Sequence, residues 1–189
     1  LSMLNRKTPL KIIGPPGTKH FIETILSLKF GKLNYEILVK EVWEGIAYES
    51  REYVIEAIEA SHTIKALAYK LREKDRPGKM NVEKLERLGI PRGPLWGKLQ
   101  RGEAIEFSGR IIRPEEVMGP PRPGRKIVYT GDTRPSEKII EFSREADILI
   151  HDATFGSEFE DEAGREGHST ARQAAEVALK AGVKRLYLF

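Results

Sequence analysis

The 189-residue sequence contains only four histidines, and three of them fall where chemistry can be built. His62 follows a run ending Glu59-Ala60-Ser61, Asp132 follows Val128-Tyr129-Thr130-Gly131, and the pair His151-Asp152 follows Ile148-Leu149-Ile150. Each run reads as a strand, so each polar group stands at a strand's carboxyl end. Ligand-binding and catalytic groups gather at that edge in sheets with crossover helices, because the connecting loops converge there. His168 stands just before Ser169-Thr170, at the start of an expected helix whose free N–H groups and dipole favour an anion. Neutral imidazoles with a carboxylate suit a borderline divalent metal. A carboxylate shared by two metals, as Asp132 could be, would let both polarise one water and hold a phosphate during its displacement. His62 and Asp132 cannot close such a site alone, and the sequence has no H-x-H or H-E-x-x-H pair. Each residue also has a bland explanation, a hydrogen-bonded structural histidine or an Asx-turn at Gly-Asp-Thr. Their joint placement at strand ends favours a site.

The elements that must position these groups are legible from hydrophobic periodicity. Leu10–Ile13 reads as a short strand, Gly14-Pro15-Pro16-Gly17 as its turn, and Thr18 as the N-cap of a helix with apolar Phe21, Ile22, Ile25, Leu26 and Leu28. Tyr35–Val42 and Tyr53–Ala60 alternate apolar and polar residues, which predicts two half-buried strands paired antiparallel. Further on, Lys126–Thr130 is expected as a strand, Ser136–Ala146 as a helix, Asp147–Ile150 as a strand, Ser169–Ala181 as a helix ended by Gly182, and Lys184–Phe189 as a strand. This alternation predicts a helix-covered sheet of the α/β (α+β) class.

Between these parts the composition changes. Residues 70–126 carry 15 Lys+Arg and 8 Asp+Glu, whereas residues 127–189 carry 8 and 12. The same middle stretch holds 7 of the 11 prolines and 8 of the 17 glycines, which suits an extended basic arm better than a buried sheet. Such an arm is a surface for phosphates; a solvated loop in a charge-rich protein is the alternative. The absence of cysteine excludes disulfide scaffolds, zinc fingers and cysteine nucleophiles. The longest uncharged apolar runs fall far short of the roughly 20 residues that cross a bilayer, and no signal peptide opens the chain, so no membrane role and a cytoplasmic location are expected. Leu1 and Phe189 give the sequence the look of a segment cut at both ends. Gly14-Pro15-Pro16-Gly17-Thr18-Lys19 is similar to a nucleotide-binding loop, but the Gly before Lys is missing and His20 stands where a Ser/Thr would hold Mg²⁺, so a turn and helix start suffice.

Five ordered motifs together resemble ribonuclease Z, the tRNA 3′-processing endonuclease of the metallo-β-lactamase fold: Ser61-His62-Thr63-Ile64; Ala68-Tyr69-Lys70 with Glu73–Lys79; Gly131-Asp132-Thr133-Arg134-Pro135; His151-Asp152-Ala153-Thr154-Phe155; and Gly167-His168-Ser169-Thr170 running to Ala175. The resemblance covers essentially the whole chain. It implies an αββα sandwich, here incomplete, with core parts at 1–75 and 126–189 and a protruding basic, flexible arm at 76–125. It further implies two zinc ions per complete subunit, with His62 a ligand and Asp132 the bridging carboxylate. The family's H-x-H-x-D-H motif and its last ligand histidine are lacking, so the isolated segment is expected to be inactive. The family's H-E-A-T loop appears as His151-Asp152-Ala153-Thr154, with Asp where Glu is usual. With His168 it resembles the group that handles the leaving-group proton, a role suited to an imidazole oriented by a carboxylate; a hydrogen bond tying two loops is the plainer alternative. The Gly/Pro stretch Ile90–Gly102 resembles the arm that grips tRNA and serves the other subunit of a homodimer. Lys79, Gly93, Pro94, Lys98 and Arg101 are the expected RNA contacts, since cations there can neutralise phosphates without reading bases. Trp96 could stack on a nucleotide but is expected instead to pack a miniature core. The function so implied is a zinc-dependent endoribonuclease that removes the 3′ trailer from precursor tRNA. The alternatives are another phosphodiesterase of the same fold or a non-catalytic RNA-binding segment.

Overall fold

A computed structural model describes residues 6–28 and 33–189. Among them two compact units are distinguished, one formed by the described residues of Leu1–Arg72 and Arg125–Phe189, the other by Glu73–Gly124.

The larger unit begins with strand β1 (Leu10–Gly14), helix α1 (Thr18–Ser27) and strand β2 (Ile37–Glu41), in which β1 and β2 pair in parallel as a two-stranded sheet. Gly17, not Thr18, is the N-cap of α1, and the Thr18 hydroxyl donates to the carbonyl of Pro15. The helix start is already occupied: the amides of Gly17 and Lys19 donate to Glu41 Oε1 at 2.7 and 3.0 Å. Those two amides, Lys19's first, hold the Glu41 carboxyl below its ordinary range. The chain continues through β3 (Gly45–Glu49), β4 (Tyr53–Glu59) and β5 (Leu67–Glu73). The expected antiparallel pairing of the strands at 35–42 and 53–60 does not occur. The short strand β3 intervenes and takes the edge of β4 itself, burying Ala47, while β2 pairs with β1.

Residues Glu73–Gly124 carry α2 (Val82–Arg87), α3 (Pro94–Gln100), the hairpin β6 (Ile105–Phe107) and β7 (Arg110–Ile112), and α4 (Pro114–Val117). The stretch read as an extended arm is thus a folded unit with its own core of Leu85, Ile90, Leu99, Ile105, Ile112 and Val117. Its Pro/Gly content marks joints rather than disorder. Pro94 and Pro114 occupy the first helical turns, where a missing N–H costs nothing. Ser108 and Gly109, both at positive φ, make the two-residue turn whose twist matches a hairpin. Trp96 packs against this core and donates its indole N–H to the Ile90 carbonyl.

The chain then returns to the larger unit as β8 (Lys126–Tyr129), α5 (Glu137–Phe142), β9 (Ile148–His151), a 3₁₀ turn at Ser157–Phe159, α6 (Glu160–Glu166), α7 (Ala171–Ala181) and β10 (Leu186–Leu188). Six strands form one sheet in the order β10-β9-β8-β5-β4-β3; β8, β9 and β10 run parallel, and β5 is antiparallel to β8. Helix α7 buries Ala174, Val177, Ala178 and Ala181, one stripe at helical spacing, against Val128, Leu149 and Ile139. Burial of each large aliphatic side chain there contributes on the order of 1.5–3 kcal/mol. Thr170 and Gln173 close a capping box at its start, and Gly182, with φ 65°, ends it. Among the described residues no helix is long and apolar enough to cross a membrane.

Candidate active site

The carboxyl ends of β4, β8 and β9 and the segment between α6 and α7 bring His62, Asp132, Asp152 and His168 together. One donor atom each of His62, Asp132 and His168 lies within 4.8 Å of the other two, and the His62 and His168 rings meet edge-on with centroids 4.9 Å apart. Asp132 is exposed and both histidines are partly buried.

Each imidazole is fixed by a bond to its Nδ1. His62 Nδ1 lies 2.8 Å from the carbonyl oxygen of Gly167, which can only accept, so Nδ1 carries a proton. His168 Nδ1 lies 2.8 Å from Asp152 Oδ2, with the Thr154 hydroxyl 3.3 Å away. Asp152 has no exposed surface, and its carboxylate is saturated. Oδ2 also accepts the Thr133 N–H at 3.0 Å, and Oδ1 accepts the N–H and hydroxyl of Thr154 at 2.9 and 2.7 Å. Burial pushes the Asp152 carboxyl up, but these bonds, led by the Thr133 amide, outweigh it and leave it below its ordinary value. Asp152 is therefore a buried anion aimed at an imidazole.

Gly167 makes this meeting possible. It ends α6 in the left-handed conformation, φ 90°, and a side chain there would place Cβ 2.6 Å from His62 Nδ1. The same segment delivers His168, whose N–H with that of Gly167 returns to the Ala163 carbonyl.

The donor set fits a divalent metal. An imidazole whose Nδ1 proton is held by a carbonyl, beside an exposed carboxylate, is a ligand pair that such ions use, and His168, oriented by Asp152, stands next to it. His62 and Asp132 are the pair expected from sequence; the third donor within reach, His168, had been expected only in a proton-transfer role. His151 departs from expectation. It has no exposed surface, its Nδ1 bonds to the Asp152 carbonyl at 2.8 Å, and its buried Nε2 has no partner. Burial pushes its pKa down, against the smaller effects of that bond and of the Asp152 charge. The reason is strand parity: on β9 His151 shares the buried face of Leu149 and cannot meet a substrate. Thr133, Thr154 and Gly167 were not singled out by sequence; the only available signal was their adjacency to the motif histidines and aspartates.

The expected RNA contacts all lie in the Glu73–Gly124 unit and are exposed. Gly93 caps α3, Pro94 opens it, Lys98 lies within it, and Arg101 ends it. Arg101 is paired with Glu103 at 2.9 Å.

Residues 102–189 match the family of β-lactamase superfamily domains. The ribonuclease Z of Methanosarcina acetivorans is 48% identical over 188 residues, 100% of this chain and 62% of that protein. The chain is homologous to ribonuclease Z. The ribonuclease Z of Myxococcus xanthus is 40% identical over 189 residues, again 100% of this chain and 62% of the relative. The chain thus spans about three fifths of the length of the ribonuclease Z relatives it matches. In structure it is similar to the short form of human tRNase Z, with a TM-score of 0.66 at 22% identity over 99% of this chain and 62% of that one. A metallo-β-lactamase fold protein of Bacillus subtilis gives a TM-score of 0.56 at 17% identity over 99% of this chain and 54% of that one. The fold is that of the metallo-β-lactamases.

Proposed function

We propose that this chain provides part of a zinc-dependent endoribonuclease that removes the 3′ trailer from precursor tRNA and leaves a 3′ hydroxyl. The observation that carries the reading is the buried Asp152 carboxylate bonded to His168 beside His62 and Asp132, in a chain homologous to ribonuclease Z. His62 and Asp132 are the residues of this chain that would hold metal, read as zinc with two ions per complete subunit and Asp132 as a ligand that both would share. Bound zinc supplies Lewis acidity, which lowers the pKa of a water and draws charge from a phosphate.

The chain's own residues account for the proton. Asp152, ionised and held by Thr133 and Thr154, orients the His168 ring and keeps Nδ1 occupied. The proton on Nε2 is then free to pass to the departing 3′ oxygen as the P–O bond breaks, a contribution of about 10² to 10⁴ in rate. Lys79, Gly93, Pro94, Lys98 and Arg101 are assigned to the tRNA backbone, supported by their exposure and by the basic balance of residues 70–126. The same reading makes the protein a cytoplasmic homodimer.

The test is to assay the chain, alone and fused to the flanking segments of a ribonuclease Z relative, on a precursor tRNA and on a small aryl phosphodiester. Zinc-dependent release of the trailer, leaving a 3′ hydroxyl on the tRNA, is expected from the fusion. Cleavage of the small diester without the tRNA would overturn the substrate assignment. Salt-sensitive tRNA binding without cleavage by the fusion would mark a non-catalytic RNA-binding segment.

A further inference from the structure

Thr133 follows Asp132 in sequence and has no exposed surface. Its polar atoms serve three other loops. The N–H donates to Asp152 Oδ2 at 3.0 Å, the carbonyl accepts the Ser169 hydroxyl at 2.6 Å, and the side-chain oxygen accepts the Ser61 N–H at 3.0 Å. The hydroxyl proton goes to the Arg134 carbonyl at 2.9 Å, and the Arg134 N–H returns to the Ser61 carbonyl at 2.7 Å. These partners are 19, 36 and 72 residues away in sequence, unlike the local bonds that loop threonines usually make. Each also borders a site group: Ser61 precedes His62, Ser169 follows His168, and Asp152 holds the His168 ring.

Two of the three long-range bonds come from the backbone, and any residue could make them. Only the hydroxyl needs threonine or serine, and it reaches one loop alone, that of His62. We propose that Thr133 is a positioning residue whose hydroxyl sets His62 against Asp132. The inference rests on the reading that those two residues share a metal ion. Without the hydroxyl the part-buried Ser61 N–H loses its acceptor, and a donor so placed either moves or takes up a water. Either response shifts His62 relative to Asp132 and leaves the Asp152–His168 pair in place, because the Thr133 amide is untouched.

The experiment compares Thr133→Val and Thr133→Ser in the full chain. The ring N–H signals of His62 and His168 are read by NMR without metal, and Zn²⁺ affinity is read by competition with a chromophoric chelator. In Thr133→Val the His62 Nδ1–H signal should shift and exchange faster, the His168 signal should stay, and zinc affinity should fall about 10- to 100-fold, the usual effect of disturbing a ligand's outer partner. Thr133→Ser should restore both His62 and zinc to within about threefold of the parent. An unchanged His62 signal in Thr133→Val overturns the proposal, as does a serine variant that behaves like valine. If Val is not accommodated, Thr133→Ala removes the same hydroxyl without crowding the Ser61 amide and is judged by the same signals. Zinc affinity is read in the fusion to the flanking segments, where a parent that binds no zinc counts against the metal reading, whereas the His62 signal decides the positioning role by itself.

Discussion

Asp152 and His168 are joined at 2.8 Å through a carboxylate that has no exposed surface and accepts three further hydrogen bonds, from Thr133 and Thr154. Four donors converge on two oxygens, so the carboxylate cannot rotate away from the imidazole or give up its charge at neutral pH. Because its folded pKa lies below the ordinary carboxylate value of about 3.9, the stability this anion contributes is complete above about pH 4. It is lost as pH falls through the lowered folded value.

Asp152→Asn tests the pair. An amide presents one oxygen and one NH₂ to four donors, so it meets either His168 or Thr154 wrongly and no longer orients the ring. Precursor-tRNA cleavage by the active fusion is expected to fall about 10²- to 10⁴-fold. Cleavage of a diester with a nitrophenolate leaving group, which departs without a proton, should change by less than about tenfold. Comparing kcat for the two substrates checks this, and equal losses would remove His168 from the proton-transfer step.

Gly167→Ala tests the route by which the α6–α7 segment meets His62. The alanine must hold φ near 90°, which costs a non-glycine residue about 1–2 kcal/mol, and its Cβ would sit 2.6 Å from His62 Nδ1 and 2.8 Å from the Thr63 amide nitrogen. Expulsion of the imidazole should abolish the His62 Nδ1–H signal and weaken Zn²⁺ binding. Chelator competition and the thermal midpoint together read this; a variant with parental zinc affinity would show that the carbonyl of residue 167 does not fix His62.

How much of this could be read beforehand follows from what each feature depends on. His62, Asp132 and Asp152 were locatable because short apolar runs mark strands, and strand ends converge in this class of sheet. His151 failed on parity: a residue at a strand's end still belongs to one face, and the Leu149 face is the buried one. The acceptor for His62 was out of reach, since Gly167 lies 105 residues away and contributes only a backbone carbonyl. The Glu73–Gly124 unit lies close to the segment that composition marks at 76–125, but its helices and hairpin were not legible, because its six core residues are spread singly among prolines and glycines that serve as helix starts and turns. Strand β3 escaped because five residues led by a glycine give too short an alternation to register.

The buried His151 ring predicts an acid-sensitive component of stability. Its folded pKa is lowered from about 6.5, so the unfolded chain binds a proton more readily than the folded one. The stability arising from this residue is complete above about pH 6.5 and is lost as pH falls below that value toward the lowered folded pKa. His151→Asn can still donate to the Asp152 carbonyl from the position of Nδ1 but cannot take a proton. Its denaturation midpoint should vary less than the parent's between pH 7.5 and 5.5, read in parallel urea titrations. Parallel curves for the two proteins would show that the ring does not titrate between the folded and unfolded states.

The last prediction separates two cations that sequence treats alike. Lys98 and Arg101 both lie on or next to α3, but Arg101 is paired with Glu103 at 2.9 Å, whereas Lys98 is exposed with no ion pair among the described residues. A phosphate that meets Arg101 must compete with a carboxylate already in place, so Lys98 should release more counterion per contact. In filter binding of a precursor tRNA between 50 and 200 mM salt, Lys98→Ala should reduce the slope of log affinity against log salt by about 0.7–0.9, the value of one phosphate contact. Arg101→Ala should reduce it less. Glu103→Gln, which frees the guanidinium while keeping the side chain's shape, should strengthen binding and steepen the slope. If Lys98→Ala and Arg101→Ala flatten it equally and Glu103→Gln does nothing, the Arg101–Glu103 pair opens without cost on binding and the two cations are equivalent partners of the RNA backbone.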